Sequence, residues 1–472
     1  MRFAGFKCVL SVCGFPNCND CGVCGVDCAL IEWDFVYGIM MAFAILIVDL
    51  ATAIDNGLGV TPPRGWRSWN QFDTGIHQEL IEAQYVALAD RSRLVDGVAT
   101  SLLDLGYASA GIDDGWQKCD SGPSGVGFHN ASGYPIVDTG KFPDMKRMTA
   151  KARALGIAPG WYGNNCACKE QRPFCALSNG NDACFAGDVA ATFDLGFGSI
   201  KLDSCGIQKN MTHYAHLFNS TRTAVMLENC HNGSPRVPAR ETGDRVDCPM
   251  NLFRTSGDIR PQWGSVLSNL MTTSAFNEGL AGPGCWGYPD MLEVGVSVMP
   301  TRGGLNFLTL VEARTHFAAW CIVSSPLILS HDLTNHSTMD AVWPIITNRE
   351  ALAVNDAWAA DAGVLVKQSE EMVHFTNCAW GFDKHCSHPA WMVWKKQLTD
   401  DSLALLLMNN RNSTADVSVS WGDLPRDAIH CAAAGCKVRD IHAHEDLGLF
   451  TERFTATLVS HDSAFIIVSS TV

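Results

Sequence analysis

Ser199-Ile200-Lys201-Leu202-Asp203-Ser204-Cys205 is the stretch on which the reading of the fold turns. It is a short apolar run that ends on charge. Lys201 and Asp203 are two residues apart, so on a strand they face the same way. A cation fixed beside Asp203 keeps that carboxylate ionised.

Working outward, seven more runs of this kind occur: Arg64–Phe72, Tyr107–Trp116, Ile157–Gly163, Ala224–Cys230, Leu252–Ile259, Ala281–Leu292 and Cys321–Leu333. Helix-like stretches such as Glu79–Leu105 and Pro143–Leu155 separate most of them. Near-continuous apolar strands alternating with helices predict a parallel sheet, and eight such units predict a (β/α)₈ TIM barrel over residues 59–355. After Asn355 the texture changes. Short alternating strands such as Ser402–Met408, Val417–Trp421 and Ala464–Val468 predict an antiparallel β-sandwich over residues 356–472.

The runs end on Asp113 and Asp114, Tyr162, Asp203, Glu228, Asp258, Asp290 and Asp332. Strand C-terminal ends ring one mouth of a barrel, so these groups are expected to form one acidic pocket. An Asp at a strand end can equally cap the next helix. Capping does not account for Lys201 with Asp203, or Arg254 with Asp258. No HExxH, P-loop or GxSxG motif is present, so no metal, cofactor or serine chemistry is expected. Paired carboxylates with many Trp residues point to sugar chemistry.

Composition narrows the setting. The chain has 472 residues, and 34 Lys and Arg against 49 Asp and Glu give a formal charge of −15. That balance argues against nucleic acid and anionic membrane as partners and suits a neutral substrate. Twenty cysteines, and sequons at Asn130, Asn210, Asn219, Asn232, Asn335 and Asn412, predict disulfides and the secretory route. Cys378 with Cys386, and Cys431 with Cys436, are spaced to close local disulfides; Cys321 sits in an apolar run and reads as a buried free thiol.

Residues 1–58 differ in texture from the rest. Phe35–Val48 is an apolar run followed by Ala51-Thr52-Ala53, which reads as a signal segment with cleavage near Ala53. It is short for a membrane span, so no anchor is expected. Upstream, Cys18, Cys21, Cys24 and Cys28 match an iron–sulfur run in spacing, but Ala29 stands where Pro usually follows. A small disulfide knot, or sequence upstream of the true start, is the simpler reading.

Several motifs together resemble glycoside hydrolase family 27, the α-galactosidase (melibiase) family. They are Gly65-Trp66-Arg67-Ser68-Trp69-Asn70, Asp113-Asp114-Gly115-Trp116, Lys141-Phe142-Pro143, Lys201-Leu202-Asp203, Arg254-Thr255-Ser256-Gly257-Asp258 and Pro289-Asp290-Met291-Leu292. The resemblance runs in order over about residues 60–472. It implies a retaining exo-glycosidase with Asp203 as nucleophile and Asp258 as acid/base. It further implies that Asp113 and Asp114 bind the galactose 4- and 6-hydroxyls and that Trp69 lies under the sugar. Lys201 would reach the 3- and 4-hydroxyls and Arg254 the 2-hydroxyl, with Tyr162 and Asp290 lining the pocket. Retention implies carboxyl groups ~5–5.5 Å apart, and an acid/base role implies an Asp258 pKa raised by desolvation. The resemblance also implies disulfides Cys230–Cys248 and Cys205 with Cys166 or Cys168.

Departures from the family pattern concern the 2-position of the sugar. Cys230-His231-Asn232 replaces Cys-Glu-Trp, Gly115 replaces a Cys, and Trp286-Gly287-Tyr288 precedes Pro289-Asp290. An α-N-acetylgalactosaminidase on the same frame is the nearest alternative, and a catalytically silent galactose-binding protein the next. Both catalytic aspartates are present, which argues against silence. The medium-sized polar side chains after strand five favour an α-galactoside over its 2-acetamido analogue. The oligomeric state is open, a homodimer included.

Overall fold

The computed structural model describes residues 56–471 except 124, 171–174, 176–181, 232–247, 277–280, 298–306, 360–361, 377, 379–384, 426–427 and 432–433. Residues 1–55 of the leader, with its cysteine run and apolar segment, and the sequon at Asn232 lie outside the described residues.

Each of the eight apolar runs supplies one strand of an eight-stranded parallel sheet. The strands are β1 (Arg64–Arg67), β2 (Tyr107–Gly111), β3 (Ala158–Gly163), β4 (Ser199–Leu202), β5 (Met226–Asn229), β6 (Leu252–Arg254), β7 (Trp286–Tyr288) and β8 (Leu327–Leu329). They pair in chain order, and β8 returns to pair with β1. Just past β7, the Leu292 amide donates to the Ile328 carbonyl at 2.8 Å and draws the last gap together. The result is a curled TIM-type barrel, with the chain's apolar strands buried between its interior and the surrounding helices.

Local chemistry sets the helices. Asp144 accepts from the Arg147 amide at 2.9 Å and starts α2 (Met145–Ala154), after α1 (Gln78–Leu88). The helix expected over Glu79–Leu105 stops at Leu88. Asp96 and Gly97 both take positive φ, 52° and 78°, and close a two-residue hairpin between Arg93–Val95 and Val98–Thr100. Asp-Gly is the favoured pair for that turn, and it overrides the helical pattern around it. Helices α3 (Asp182–Asp194), α4 (Met211–Ser220), α5 (Trp263–Thr272), α6 (Leu310–Ile322), α7 (His336–Ile346) and α8 (Arg349–Asp356) follow. Thr309 and Glu312 form a reciprocal capping box at the start of α6.

The C-terminal part is a sandwich. Its larger sheet joins six strands, among them Trp391–Thr399, Ser402–Asn409 and Ser463–Ser469, and Ala415–Ser420 pairs with Arg453–Leu458 across a shared core of Val393, Leu405, Val417, Phe454 and Ile466. The alternate residues Met392, Trp394, Leu406 and Phe465 face the other way and join the barrel's core. Arg439 grips Glu350 of α8 through two bonds of 2.8 Å, and Arg314 of α6 meets Asp462 at 2.7 Å.

Six disulfides occur among the described residues: Cys119–Cys168, Cys166–Cys205, Cys175–Cys184, Cys248–Cys285, Cys378–Cys386 and Cys431–Cys436. They fit an oxidising compartment. The implied Cys230–Cys248 bond is not formed. Cys230 follows the C-terminal end of β5, while Cys248 precedes the N-terminal end of β6, at the opposite rim. There Cys285, just before β7, is its partner. Cys230 and Cys321 are both buried free thiols. No helix among the described residues is long and apolar enough to cross a membrane.

Candidate active site

Strand register assembles the mouth. Tyr162 pairs with Lys201, and Lys201 with Glu228, so three polar side chains from β3, β4 and β5 stand in one row. Glu228 takes both terminal nitrogens of Arg67, at 2.7 Å each, with both groups buried. Lys201 donates to Asp113 at 2.9 Å. The Asp113 amide is fixed by the Ser68 hydroxyl at 3.0 Å.

Asp203 lies at the end of β4. It accepts from the Tyr162 hydroxyl through Oδ2 and from the Ser204 amide, at 2.6 Å, through Oδ1. The His231 Nδ1 is 3.8 Å from the same Oδ1. Burial pushes this carboxyl up, but His231, Lys201, Tyr162 and the Ser204 amide outweigh it and hold it well below the usual carboxylate range. Lys201 is itself pushed down by burial and up by Asp113, with the rise dominating. Asp113 is raised by burial, against the pull of Lys201 and Arg67.

Asp258 sits in a different setting. Its side chain is 35 % exposed, and its Oδ1 is 3.3 Å from Arg254. The same guanidinium binds Asp290 more closely, at 2.8 Å. The pKa rise expected for Asp258 is not found. Burial does push it up, but Arg254, then Lys201 and His231, bring it below the ordinary value. The sequence paired Arg254 with Asp258; it did not show that the guanidinium would outweigh burial and lower the carboxyl's pKa.

Asp114 is fully occupied by the protein. Oδ2 accepts from the amides of Cys166 and Ala167 at 2.9 and 2.7 Å, and Oδ1 from the Gly115 amide at 2.8 Å and the Gln117 side chain at 2.5 Å. A carboxylate has about four acceptor positions, and these donors fill them. Gly115 has φ 107°, and a Cβ there would fall 2.8 Å from the Thr74 carbonyl oxygen, which explains the glycine in place of the family's Cys. Trp69 completes a wall with Tyr288, Met291 and Ile328. Asp332 is tied up by the protein instead; it accepts from Gln84 at 2.8 Å and from the Thr334 hydroxyl at 2.7 Å in a local turn, and Asn335 caps the helix that follows.

Three residues at the mouth hold left-handed backbone without being glycine: Asn164 (φ 53°), His231 (φ 69°) and Asp290 (φ 91°). Such conformations cost ~1–3 kcal/mol and persist where packing and hydrogen bonds enforce them. Asp290 is held by Arg254 and by the amides of Ile259 and Met291, both at 2.8 Å. His231 is held by the Ser256 carbonyl at 3.0 Å. Arg67 and His231 are the side chains that strand patterning did not single out. A charged residue inside the apolar β1 run was the available signal for Arg67; the departure at Cys230-His231-Asn232 marked His231 for the sugar's 2-position but not for its approach to Asp203 from the neighbouring strand.

A parallel barrel whose mouth gathers Asp203 and Asp258 among Lys201, Arg254, Asp113 and Asp290 has the two-carboxylate make-up of a barrel glycoside hydrolase. Residues 61–357 match the family model described as alpha galactosidase A, and residues 389–468 match the alpha galactosidase C-terminal beta sandwich domain. This chain belongs to the α-galactosidase (melibiase) family, glycoside hydrolase family 27. An α-galactosidase of Cyamopsis tetragonoloba is 27 % identical over 417 residues, covering 86 % of each chain. The crystal structure of α-galactosidase I from Mortierella vinacea shares the fold at TM-score 0.64 and 22 % identity, covering 88 % of this chain and all of that one. A β-L-arabinopyranosidase of Geobacillus stearothermophilus shares it at TM-score 0.69 and 18 % identity, covering 89 % of this chain and 99 % of that one.

Proposed function

We propose that the chain hydrolyses terminal α-D-galactosyl residues with retention, residues 59–355 forming the catalytic unit and 356–472 the sandwich against it. The Asp203 carboxylate attacks the anomeric carbon while Asp258 gives a proton to the departing glycosidic oxygen, leaving a covalent β-galactosyl ester on Asp203. Asp258 then takes a proton from water, which attacks the same carbon from the other face and restores the α configuration. The observation that carries this reading is the asymmetry of the pair. Asp203 is pinned as an anion by Tyr162, His231 and Lys201, whereas Asp258 is more exposed and depends chiefly on one guanidinium.

Trp69 supplies the platform, Asp113 and Lys201 meet the 3- and 4-hydroxyls, and Arg254 meets the 2-hydroxyl. Tyr162 and Asp290 line the pocket and orient the pair, and Asp114 fixes the loop at Cys166 against the sugar's 6-position side. A substrate that draws on Arg254 and expels water from Asp258 weakens the hold on that carboxyl and raises its pKa, as an acid requires. His231 stands beside Asp203 and takes up space that a 2-acetamido group would need, which favours the galactoside. Disulfides and sequons support a secreted or lysosomal-type (vacuolar) location.

Proton NMR of a nitrophenyl α-galactoside digest tests the reading. The α anomer of galactose is expected first, before mutarotation. First release of the β anomer would reject double displacement. A higher kcat/KM on the 2-acetamido sugar would reject the galactoside preference and leave the catalytic pair standing.

A further inference from the structure

We infer that Cys230, His231 and Asp203 form an inhibitory Zn²⁺ site at the mouth of the barrel. One atom from each of the three residues can be chosen so that all lie within 4.8 Å of one another. The Cys230 Sγ is 3.5 Å from the His231 Nδ1, and that nitrogen is 3.8 Å from the Asp203 Oδ1. Zinc bonds of ~2.0–2.3 Å place neighbouring tetrahedral ligand atoms ~3.3–3.6 Å apart, so the Cys230–His231 pair already has the spacing and the Asp203 carboxylate closes in on it by ~1 Å at most.

The outer contacts favour coordination as well. The His231 Nε2 is 3.0 Å from the Ser256 carbonyl oxygen, which can only accept, so Nε2 carries a proton. Zinc takes the place of the Nδ1 proton that faces Asp203, which leaves to solvent, and the freed lone pair points at the thiol and the carboxylate. A ligand histidine whose other nitrogen donates to a carbonyl is the usual outer arrangement of a zinc site. The left-handed backbone at His231, φ 69°, turns the ring into this position. Cys230 is 1 % exposed and free of any disulfide, while His231 opens the cluster to solvent and gives the ion an entry path.

Zn²⁺ displaces the thiol proton to solvent, bonds the resulting thiolate, the Nδ1 and one Asp203 oxygen, and keeps a water as fourth ligand. Lys201 and Arg254 oppose a dication nearby, but the thiolate and carboxylate neutralise its charge. The inhibitory half of the inference rests on Asp203 being the nucleophile, and the metal-binding half does not.

Equilibrium dialysis of the full chain with ZnCl₂, alongside Co²⁺ spectra, reads binding without activity. The chain also carries cysteines between residues 8 and 28, so the difference between wild type and variant is what is measured. Wild type is expected to hold one more zinc than Cys230→Ser, and a thiolate-to-cobalt band that the variant lacks. Zinc is expected to raise the apparent KM on a nitrophenyl α-galactoside, reversibly with chelator. Cys230→Ser and His231→Gln should each weaken this effect by at least ~10-fold, relative to their own zinc-free rates. Either variant suffices should the other not fold. Zinc affinity unchanged in both would overturn the site. Binding that depends on Cys230 but leaves turnover untouched would overturn inhibition, while the nucleophile assignment stands or falls separately on turnover by Asp203→Ala.

Discussion

The barrel mouth and the sandwich core are both buried, yet they are built from opposite materials. The sandwich encloses Val393, Leu405, Val417, Phe454 and Ile466, and places pairs such as Lys367–Asp423 at its surface, with side chains 37 % and 29 % exposed. The mouth encloses Arg67–Glu228, Lys201–Asp113 and Arg254–Asp290, with every one of these side chains below a tenth exposed. Removing two charges from water costs several kcal/mol per ion, and an apolar replacement is often no less stable. The mouth therefore holds its charges at some expense of stability, and what it gains is fixed electrostatics around Asp203 and Asp258.

The largest break in this contrast is functional. Asp203→Ala should lower kcat on nitrophenyl α-galactoside by ~10⁴-fold or more, with azide giving the β-galactosyl azide by direct displacement. Wild-type turnover in this variant would remove the chemical reason for the buried charges. Next comes Glu228→Gln, which leaves the Arg67 guanidinium buried without its anion. A destabilisation of ~3–5 kcal/mol is expected in urea unfolding.

His129 sharpens the comparison through pH. It lies between Glu170 at 2.7 Å and Asp188 at 2.9 Å, all three buried. Burial pushes the ring's pKa down, but the two carboxylates outweigh it and raise it to about 9. A raised histidine stabilises fully below its unfolded pKa of ~6.5, and this contribution is lost as pH climbs through about 9. Unfolding free energy should thus fall by up to ~3 kcal/mol between pH 6 and 9.5, and His129→Gln should flatten that slope. A slope unchanged in the variant would assign it to other groups.

Asp258 gives a smaller effect. Because Arg254 depresses its carboxyl in the empty site, the basic limb of kcat/KM should fall at lower pH than the basic limb of kcat, which reports the substrate complex. Coincident limbs would mean that substrate does not loosen Arg254. The smallest change is expected in the sandwich. Lys367→Met should shift stability by less than ~1 kcal/mol, since an exposed pair is screened by water.

Sequence by itself determined the barrel and the sandwich. Apolar runs with period-two or continuous burial, and turns between them, are local properties that fix strands wherever the chain places them. It also brought Asp113, Tyr162, Lys201, Asp203, Arg254, Asp258 and Asp290 to one rim, because each stands at the end of such a run. Only the tertiary structure decided how those groups meet. Arg67 finds Glu228 across 161 residues, Cys248 takes Cys285 in place of Cys230, and Arg254 reverses the expected shift of Asp258. Burial follows from a residue's own polarity and its neighbours in the chain, whereas a charge's pKa or a thiol's partner depends on distances of 3–4 Å that strand register and barrel closure alone set.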